Sequence, residues 1–96
     1  MIEDPSSLPA AADRREVGRR IRATRQALGM SQKAVYEKLG ISKQTYNNHD
    51  TGYSRPSIED GIRISRLFGV SLEWIYLGEI RNVPHELAIK LQKLLP

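Results

Sequence analysis

The sequence predicts an all-α protein with a five-helix bundle, an extra C-terminal helix and a flexible N-terminal arm. Apolar residues recur three and four positions apart along most of the chain, as they do in helices that bury one face. Five of the seven glycines fall where such a pattern stops, namely Gly29, Gly40, Gly52, Gly69 and Gly78. Glycine readily adopts the left-handed conformation that ends many helices, so these positions predict helix ends. The short spacing between them leaves no candidate β-strand.

The N-terminal part of the chain divides at Arg14. The prolines and alanines of residues 1–13 show no apolar periodicity, which predicts the flexible arm. From Arg14 to Gly29 the pattern is helical, and arginines occupy much of the remaining surface. The predicted inward face of this first helix consists of Val17, Ile21, Thr24 and Leu28. We predict three parts of the chain: the arm at 1–13, a domain at 14–80 and a C-terminal helical segment at 81–96.

Two short helices follow, joined by a tight turn at Gly40-Ile41-Ser42. Ser31 and Ser42 precede the two helical patterns, where a hydroxyl accepts a bond from a free backbone N–H. The predicted inward residues are Val35 and Leu39 in the first helix and Tyr46 and His49 in the second. Residues 42–50 are therefore predicted to form a helix whose other face is exposed to solvent.

The second half of the chain predicts three more helices. Ser57 and Ser71 are predicted N-caps. The predicted inward residues of the fourth helix are Ile58, Ile62, Ser65 and Phe68. The fifth helix supplies Leu72, Trp74, Ile75 and Leu77, and the last segment supplies Leu87, Leu91, Leu94 and Leu95. These last leucines have two readings that the sequence leaves open, a cap on the protein's own core or an interface with a second copy.

Length and composition exclude several classes of protein. Ninety-six residues are enough for one small domain, and no apolar run approaches the roughly 20 residues that span a bilayer, so a cytoplasmic protein is expected. There is no cysteine, and the two histidines are far apart, so no metal site or other cofactor is expected. The sequence shows no arrangement of nucleophile, base and phosphate loop typical of an enzyme.

Positive charge is concentrated around the two short helices. Residues 14–55 contain ten Lys and Arg residues and three acidic residues, a net charge of +7, against +4 for the whole chain. A localised positive field is typical of a protein that binds a polyanion. Polar residues of the 42–50 helix add amides to this charge: Lys43, Gln44, Asn47 and Asn48. Amides can pair with adenine and lysine with guanine in a DNA major groove.

Five short motifs together resemble the lambda-repressor-like, or XRE-type, helix-turn-helix DNA-binding domains of phages and bacteria. The resemblance covers residues 17–78. Its motifs are Ser31-Gln32, Leu39-Gly40-Ile41-Ser42, Asp50-Thr51-Gly52, Arg55-Pro56-Ser57-Ile58 and Leu67-Phe68-Gly69-Val70-Ser71-Leu72. It implies a sequence-specific binder of double-stranded DNA, a small transcriptional regulator that is most simply a repressor, with helix 42–50 in the major groove.

The resemblance also implies a role for each candidate DNA-binding residue. Lys43, Gln44 and Asn48 would face base edges, and Asn47 would lie at the edge of the contact. Gln32 would hold a phosphate and buttress Gln44. Tyr53, Ser54 and Arg55 would meet the sugar-phosphate backbone, and Ser42 and Thr45 complete the set. A homodimer on a palindromic operator is expected. The alternative function is an antitoxin or anti-repressor that uses the same fold to bind a protein partner.

Three positions depart from the family pattern: Tyr36 for a small residue, His49 for a large apolar residue and Asp50 for a glutamate. Tyr36 predicts either a wider separation of the two short helices or a hydroxyl turned to solvent. For His49 we expect a partly buried side chain with hydrogen bonds at both ring nitrogens rather than a pH sensor.

Overall fold

The computed structural model describes residues 4–96, and its regular elements are all helical over that range. The elements are a 3₁₀ turn at Ala10–Ala12, α1 at Arg14–Ala27, α2 at Gln32–Leu39, α3 at Lys43–Asp50, α4 at Ile58–Phe68, α5 at Leu72–Leu77 and α6 at His85–Leu94. The predicted all-α class is confirmed. None of the helices in this part of the chain is long and apolar enough to cross a membrane.

The predicted helix starts are confirmed by hydrogen bonds. The four serine caps each accept a backbone N–H three residues ahead: Ser31 from Ala34, Ser42 from Thr45, Ser57 from Asp60 and Ser71 from Trp74. Asp13 caps α1 in the same way by accepting from the N–H of Arg15. Each such cap stabilises its helix by about 1 kcal/mol. All five glycines predicted to end helices have positive φ.

The core forms around α1, which packs against α3, α5 and α6. Its fully buried side chains come from every one of the larger helices: Val17, Ile21, Val35, Tyr46, Ile64, Ile75 and Leu91. Leu87 and Leu91 of α6 are thus part of the protein's own core, as one of the two readings proposed. Ile89 and Leu94 of the same helix remain 41% and 44% exposed.

The last residues of the predicted arm have a defined position. Ala10–Ala12 forms a 3₁₀ turn that packs on α1 and α5, and Ala12 is buried. The buried guanidinium of Arg20 donates to the carbonyls of Ala11 and Ile75. A buried guanidinium needs acceptors, and these backbone oxygens supply them. Such a contact cannot be predicted from the pattern of side chains, because the acceptors belong to the backbone. Residues 1–3 of the predicted arm lie outside the described residues.

The prediction for the inward face of α4 is wrong in part. Ile58 and Ile62 are 56% and 40% exposed, whereas Gly61, Ile64 and Phe68 are buried. The reason is Tyr76 of α5, whose ring lies so close to Gly61 that a Cβ there would be 2.8 Å from ring carbons. The Tyr76 hydroxyl donates to the carbonyls of Pro56 and Ser57, both at 3.0 Å. This contact turns the glycine side of α4 inward.

Candidate nucleic-acid interface

The turn between α2 and α3 has the predicted position and geometry. Gly40 ends α2 with φ 68°, and the N–H of Ile41 donates back to the carbonyl of Tyr36 at 3.2 Å. Ser42 then starts α3: its Oγ accepts the N–H of Thr45 at 3.0 Å and donates to Thr45 Oγ1 at 2.8 Å. The side chains of Ser42 and Thr45 are therefore engaged with each other at the start of α3.

The outward face of α3 presents amide and ammonium groups. Lys43 and Gln44 are exposed, and Asn47 and Asn48 are half-buried. Gln44 Nε2 donates to Asn48 Oδ1 at 2.9 Å, which holds the two amides together one helical turn apart. Gln44 retains its carbonyl oxygen and a second N–H, and Asn48 retains its own NH₂ group. The pair can therefore accept from one partner and donate to another at the same time.

The inward face of α3 is fixed by the carboxylate of Asp50, which is 1% exposed. Arg25 of α1 donates from Nε to Oδ1 at 2.8 Å, and Gln32 of α2 donates from Nε2 to Oδ2 at 3.0 Å. The Tyr46 hydroxyl donates to Oδ1 at 3.1 Å, and Arg22 Nε lies 3.5 Å from Oδ2. We call these five residues the Asp50 network. It joins α3 to both preceding helices through charge-assisted hydrogen bonds.

The pKa values within the Asp50 network shift as its geometry dictates. Burial raises the pKa of the Tyr46 hydroxyl, and the neighbouring Asp50 charge raises it further. The hydrogen bond to Asp50 raises the pKa of Arg25. Tyrosine is neutral and arginine charged at neutral pH already, and both shifts favour these protonated forms further, so both side chains donate to the carboxylate.

Gln32 lies at the start of α2 as predicted, but the prediction that it buttresses Gln44 is wrong. Its Nε2 bonds to Asp50 and lies 3.5 Å from Asn47 Oδ1. The physical reason is that a buried carboxylate is a stronger acceptor than a neutral amide. Asn48 contacts Gln44 instead.

His49 is more deeply buried than predicted, at 5% exposed. Its Nε2 lies 3.1 Å from Asp60 Oδ2 of α4, and Arg63 donates to the other oxygen of Asp60 at 2.9 Å. Within residues 4–96 its Nδ1 has no hydrogen-bond partner, so the prediction of hydrogen bonds at both ring nitrogens is wrong. Tyr36 lies half-buried against the core, and α2 and α3 remain in contact.

The loop after α3 carries the three residues predicted to meet the sugar-phosphate backbone. Tyr53 is 73% exposed, and Ser54 is half-buried with its N–H donating to the carbonyl of Asn48 at 3.1 Å. Arg55 is exposed, and its Nη1 donates to the carbonyl of Ala12 at 3.0 Å. The loop is therefore tied to α3 on one side and to the N-terminal segment on the other.

Close backbone packing sets the position of this loop against α1. Gly52 has φ 78°, and a Cβ on it would lie 2.9 Å from the Cα of Arg15. A Cβ on Gly18 would likewise overlap the backbone of Gly52. Only glycine at both positions permits the approach.

Sequence reasoning missed the Asp50 network and the inward position of Arg20. A signal for the network existed, because Asp50 follows Tyr46 by four residues and so shares its inward face. A carboxylate on a buried face requires cationic or N–H partners, and α1 is rich in arginine. Arg20 and Arg25 are largely buried and bond to groups inside the protein. The positive charge at the surface is therefore smaller than the +7 count indicates. Among residues 4–96, no group of three or more His, Asp or Glu side chains is placed to hold a metal ion.

Comparison with known proteins identifies a family whose matched region includes α2 and α3. The helix-turn-helix family model matches residues 21–75, more than half of the chain. Over 59 residues the chain is 30% identical to the HTH-type transcriptional regulator ImmR of Bacillus subtilis, an alignment that covers 62% of this chain and 46% of ImmR. No solved structure matches the chain significantly.

Two further relatives come from the same species. Over 78 residues the chain is 30% identical to the SPbeta prophage-derived uncharacterized HTH-type transcriptional regulator YonR, covering 73% of this chain and 72% of YonR. Over 56 residues it is 29% identical to the uncharacterized HTH-type transcriptional regulator YobD, covering 58% of this chain and 50% of YobD. The chain spans about half the length of ImmR and YobD. With the turn at Gly40–Ser42 inside the matched range, the chain belongs to the XRE-type helix-turn-helix family of DNA-binding proteins.

Proposed function

We propose that this chain binds double-stranded DNA sequence-specifically in the cytoplasm and regulates transcription, most simply as a repressor. One observation carries the proposal: one face of α3 is fixed to the core, and the other presents amide and ammonium groups that retain donors and acceptors for a ligand. A helix that reads DNA needs both properties, because its side chains must reach base edges from a fixed position. The function is one of binding and not of catalysis.

The Asp50 network supports this proposal because it fixes the orientation of α3. Three side chains, one each from α1, α2 and α3, donate to one carboxylate at the C-terminal end of α3. Arg22 of α1 adds an ion pair to the same carboxylate and donates to the backbone carbonyl of Asp50. Rotation of α3 about its axis would break several charge-assisted bonds at once. The Gln44–Asn48 pair is thus held at a constant place relative to the core, which reduces the ordering that DNA binding requires.

Six polar residues of the interface have separate roles in this proposal. Gln44 and Asn48 read bases through their amides, and Lys43 reaches guanine or phosphate. Tyr53 and Arg55 contact the sugar-phosphate backbone and set the register of the protein on the duplex. Gln32 serves mainly to position α3 through its bond to Asp50. It also lies at the N-terminus of α2, and the positive end of that helix dipole favours a nearby phosphate.

The relatives support regulation of transcription. ImmR, YonR and YobD are each named as HTH-type transcriptional regulators. Repression is the simplest form of regulation, because an operator occupied by a protein is closed to other proteins. Two copies on a palindromic operator would double the contacts that one small domain makes.

Selection of binding sites from random duplexes tests the proposal. We expect an enriched palindrome with half-sites about 10 bp apart, or a multiple of that spacing, centre to centre. Gln44→Ala should change one position of each enriched half-site, whereas Gln92→Ala, an exposed amide on α6, should leave the enriched sequence unchanged. A bound pool with no enriched sequence would contradict sequence-specific binding.

A further inference from the structure

A cleft opens between the N-terminal segment and the loop that follows α3. It has a volume of about 490 Å³ and is lined by Leu8, Pro9, Ala10, Ala12, Asp13 and Arg14 on one wall and by Tyr53, Ser54 and Arg55 on the other. We call it the arm–loop cleft. The first wall lies wholly outside the range 21–75 that matches the family model.

Two arginines cross the arm–loop cleft in opposite directions. Arg14 Nη1 donates to the carbonyl of Gly52 at 2.8 Å, and Arg55 Nη1 donates to the carbonyl of Ala12 at 3.0 Å. Each bond uses one of the five N–H donors of a guanidinium. Both side chains belong to exposed residues, so the remaining donors are available to a ligand. The crossed bonds fix the two charges beside the same space.

The chemistry of the arm–loop cleft suits a phosphate. Among the described residues, its charged lining consists of the two guanidinium groups and the carboxylate of Asp13, which already accepts the N–H of Arg15 at 2.9 Å. Tyr53 and Ser54 add hydroxyls. Guanidinium forks match phosphate oxygens with paired hydrogen bonds. The volume is many times the ~30 Å³ that one water molecule occupies, so a phosphate group has room.

The cleft also has a fixed place relative to the face of α3 that would read bases. The N–H of Ser54 donates to the carbonyl of Asn48, so the loop wall continues directly from α3. We propose that the arm–loop cleft holds one backbone phosphate of bound DNA, with Arg14 and Arg55 donating to it from the two walls. This inference rests on the proposed function and extends the DNA-binding surface to the N-terminal segment.

The salt dependence of duplex binding tests Arg14 directly. Each phosphate contact contributes about 0.9 to the slope of log affinity against log salt, so a fourfold rise in salt weakens binding by about 3.5-fold per contact. Arg14→Ala should lower the slope by about one contact for each bound protomer, and Arg14→Lys should retain it. Arg81→Ala removes an equal charge from a side chain that is 85% exposed, and it should leave the slope unchanged. A merely structural role of Arg14 would lower affinity without changing the slope.

Single neutral methylphosphonates, placed at successive positions of the duplex, locate the contact. For the unchanged protein, one position of each half-site should weaken binding by about 3-fold or more, in line with the loss of one phosphate contact. In Arg14→Ala the effect at that position alone should be reduced, because only Arg55 remains to donate to the phosphate. Identical profiles for the two proteins, or an unchanged salt slope, would overturn the cleft assignment while DNA binding stands. Absence of duplex binding by the unchanged protein would overturn the proposed function and the cleft assignment together.

Discussion

At the scale of single residues, Asp50 has the greatest influence on the interface without facing it. Its carboxylate is 1% exposed and bonds to groups from three helices, so it determines where the outward amides of α3 point. Lone buried carboxylates are costly, and Arg25 offsets that cost at 2.8 Å. The arginine is in turn mostly buried, at 13% exposed, so each charge depends on the other.

Removal of the Asp50 carboxylate should destabilise the protein strongly. Asp50→Ala leaves the Arg25 charge and the Tyr46 hydroxyl buried without their acceptor, so we expect the free energy of unfolding to fall by about 3–5 kcal/mol. Urea denaturation followed by circular dichroism measures this change. Asp50→Asn, which keeps the shape and one carbonyl oxygen, should lose less.

Glu37→Ala is the matched control for that loss of a carboxylate. Glu37 is 59% exposed and forms a surface ion pair with Lys33 at 3.8 Å, so its removal should change stability by less than about 1 kcal/mol. Equal effects of Asp50→Ala and Glu37→Ala would show that the Asp50 network does not hold the helices together.

At the scale of the helices, features set by neighbours in sequence were predictable. Serine caps and terminal glycines act within four residues, and the inward pair Tyr46 and His49 follows from helical spacing alone. The exposure of Lys43 and Gln44 follows from the same spacing. The limits of α2 and α3 and the outward face of α3 were therefore accessible from the sequence.

Features set by contacts between distant residues were not predictable. The inward face of α4 depends on Tyr76, which packs on Gly61 from another helix. The position of Ala10–Ala12 depends on Arg20 and Arg55, which donate to backbone carbonyls. Carbonyls are present at every residue, so a sequence gives no sign of which ones accept such bonds. The partner of Gln32 was missed for a related reason, since Asp50 had not been recognised as buried.

At the scale of the whole molecule, the proposed dimer must use surface that the fold leaves free. Leu87 and Leu91 fill the core beside α1, so removal of residues 81–96 would damage the monomer itself. Ile89 and Leu94 remain substantially exposed. They are the α6 residues whose substitution can weaken association without opening the core.

We expect sedimentation of the free protein to show a monomer–dimer equilibrium that Ile89→Lys or Leu94→Lys shifts toward monomer. Burial of one such side chain contributes about 1.5–3 kcal/mol, so the dissociation constant should rise about tenfold or more. Gln92→Lys introduces the same charge at an exposed position of α6 away from the face of Ile89 and Leu94, and it should have little effect. A mass unchanged by both apolar substitutions would remove α6 from the dimer interface.

The central claim is that α3 reads bases and the following loop holds the backbone, and one contrast of variants tests it. Affinities of Gln44→Ala and Arg55→Ala are measured against a panel of single-base variants of the selected operator. Gln44→Ala should lose discrimination worth about 1–3 kcal/mol at one position of each half-site, whereas Arg55→Ala should weaken binding to every duplex by a similar factor. A uniform loss for Gln44→Ala, or no loss for either variant, would contradict the placement of α3 in the major groove.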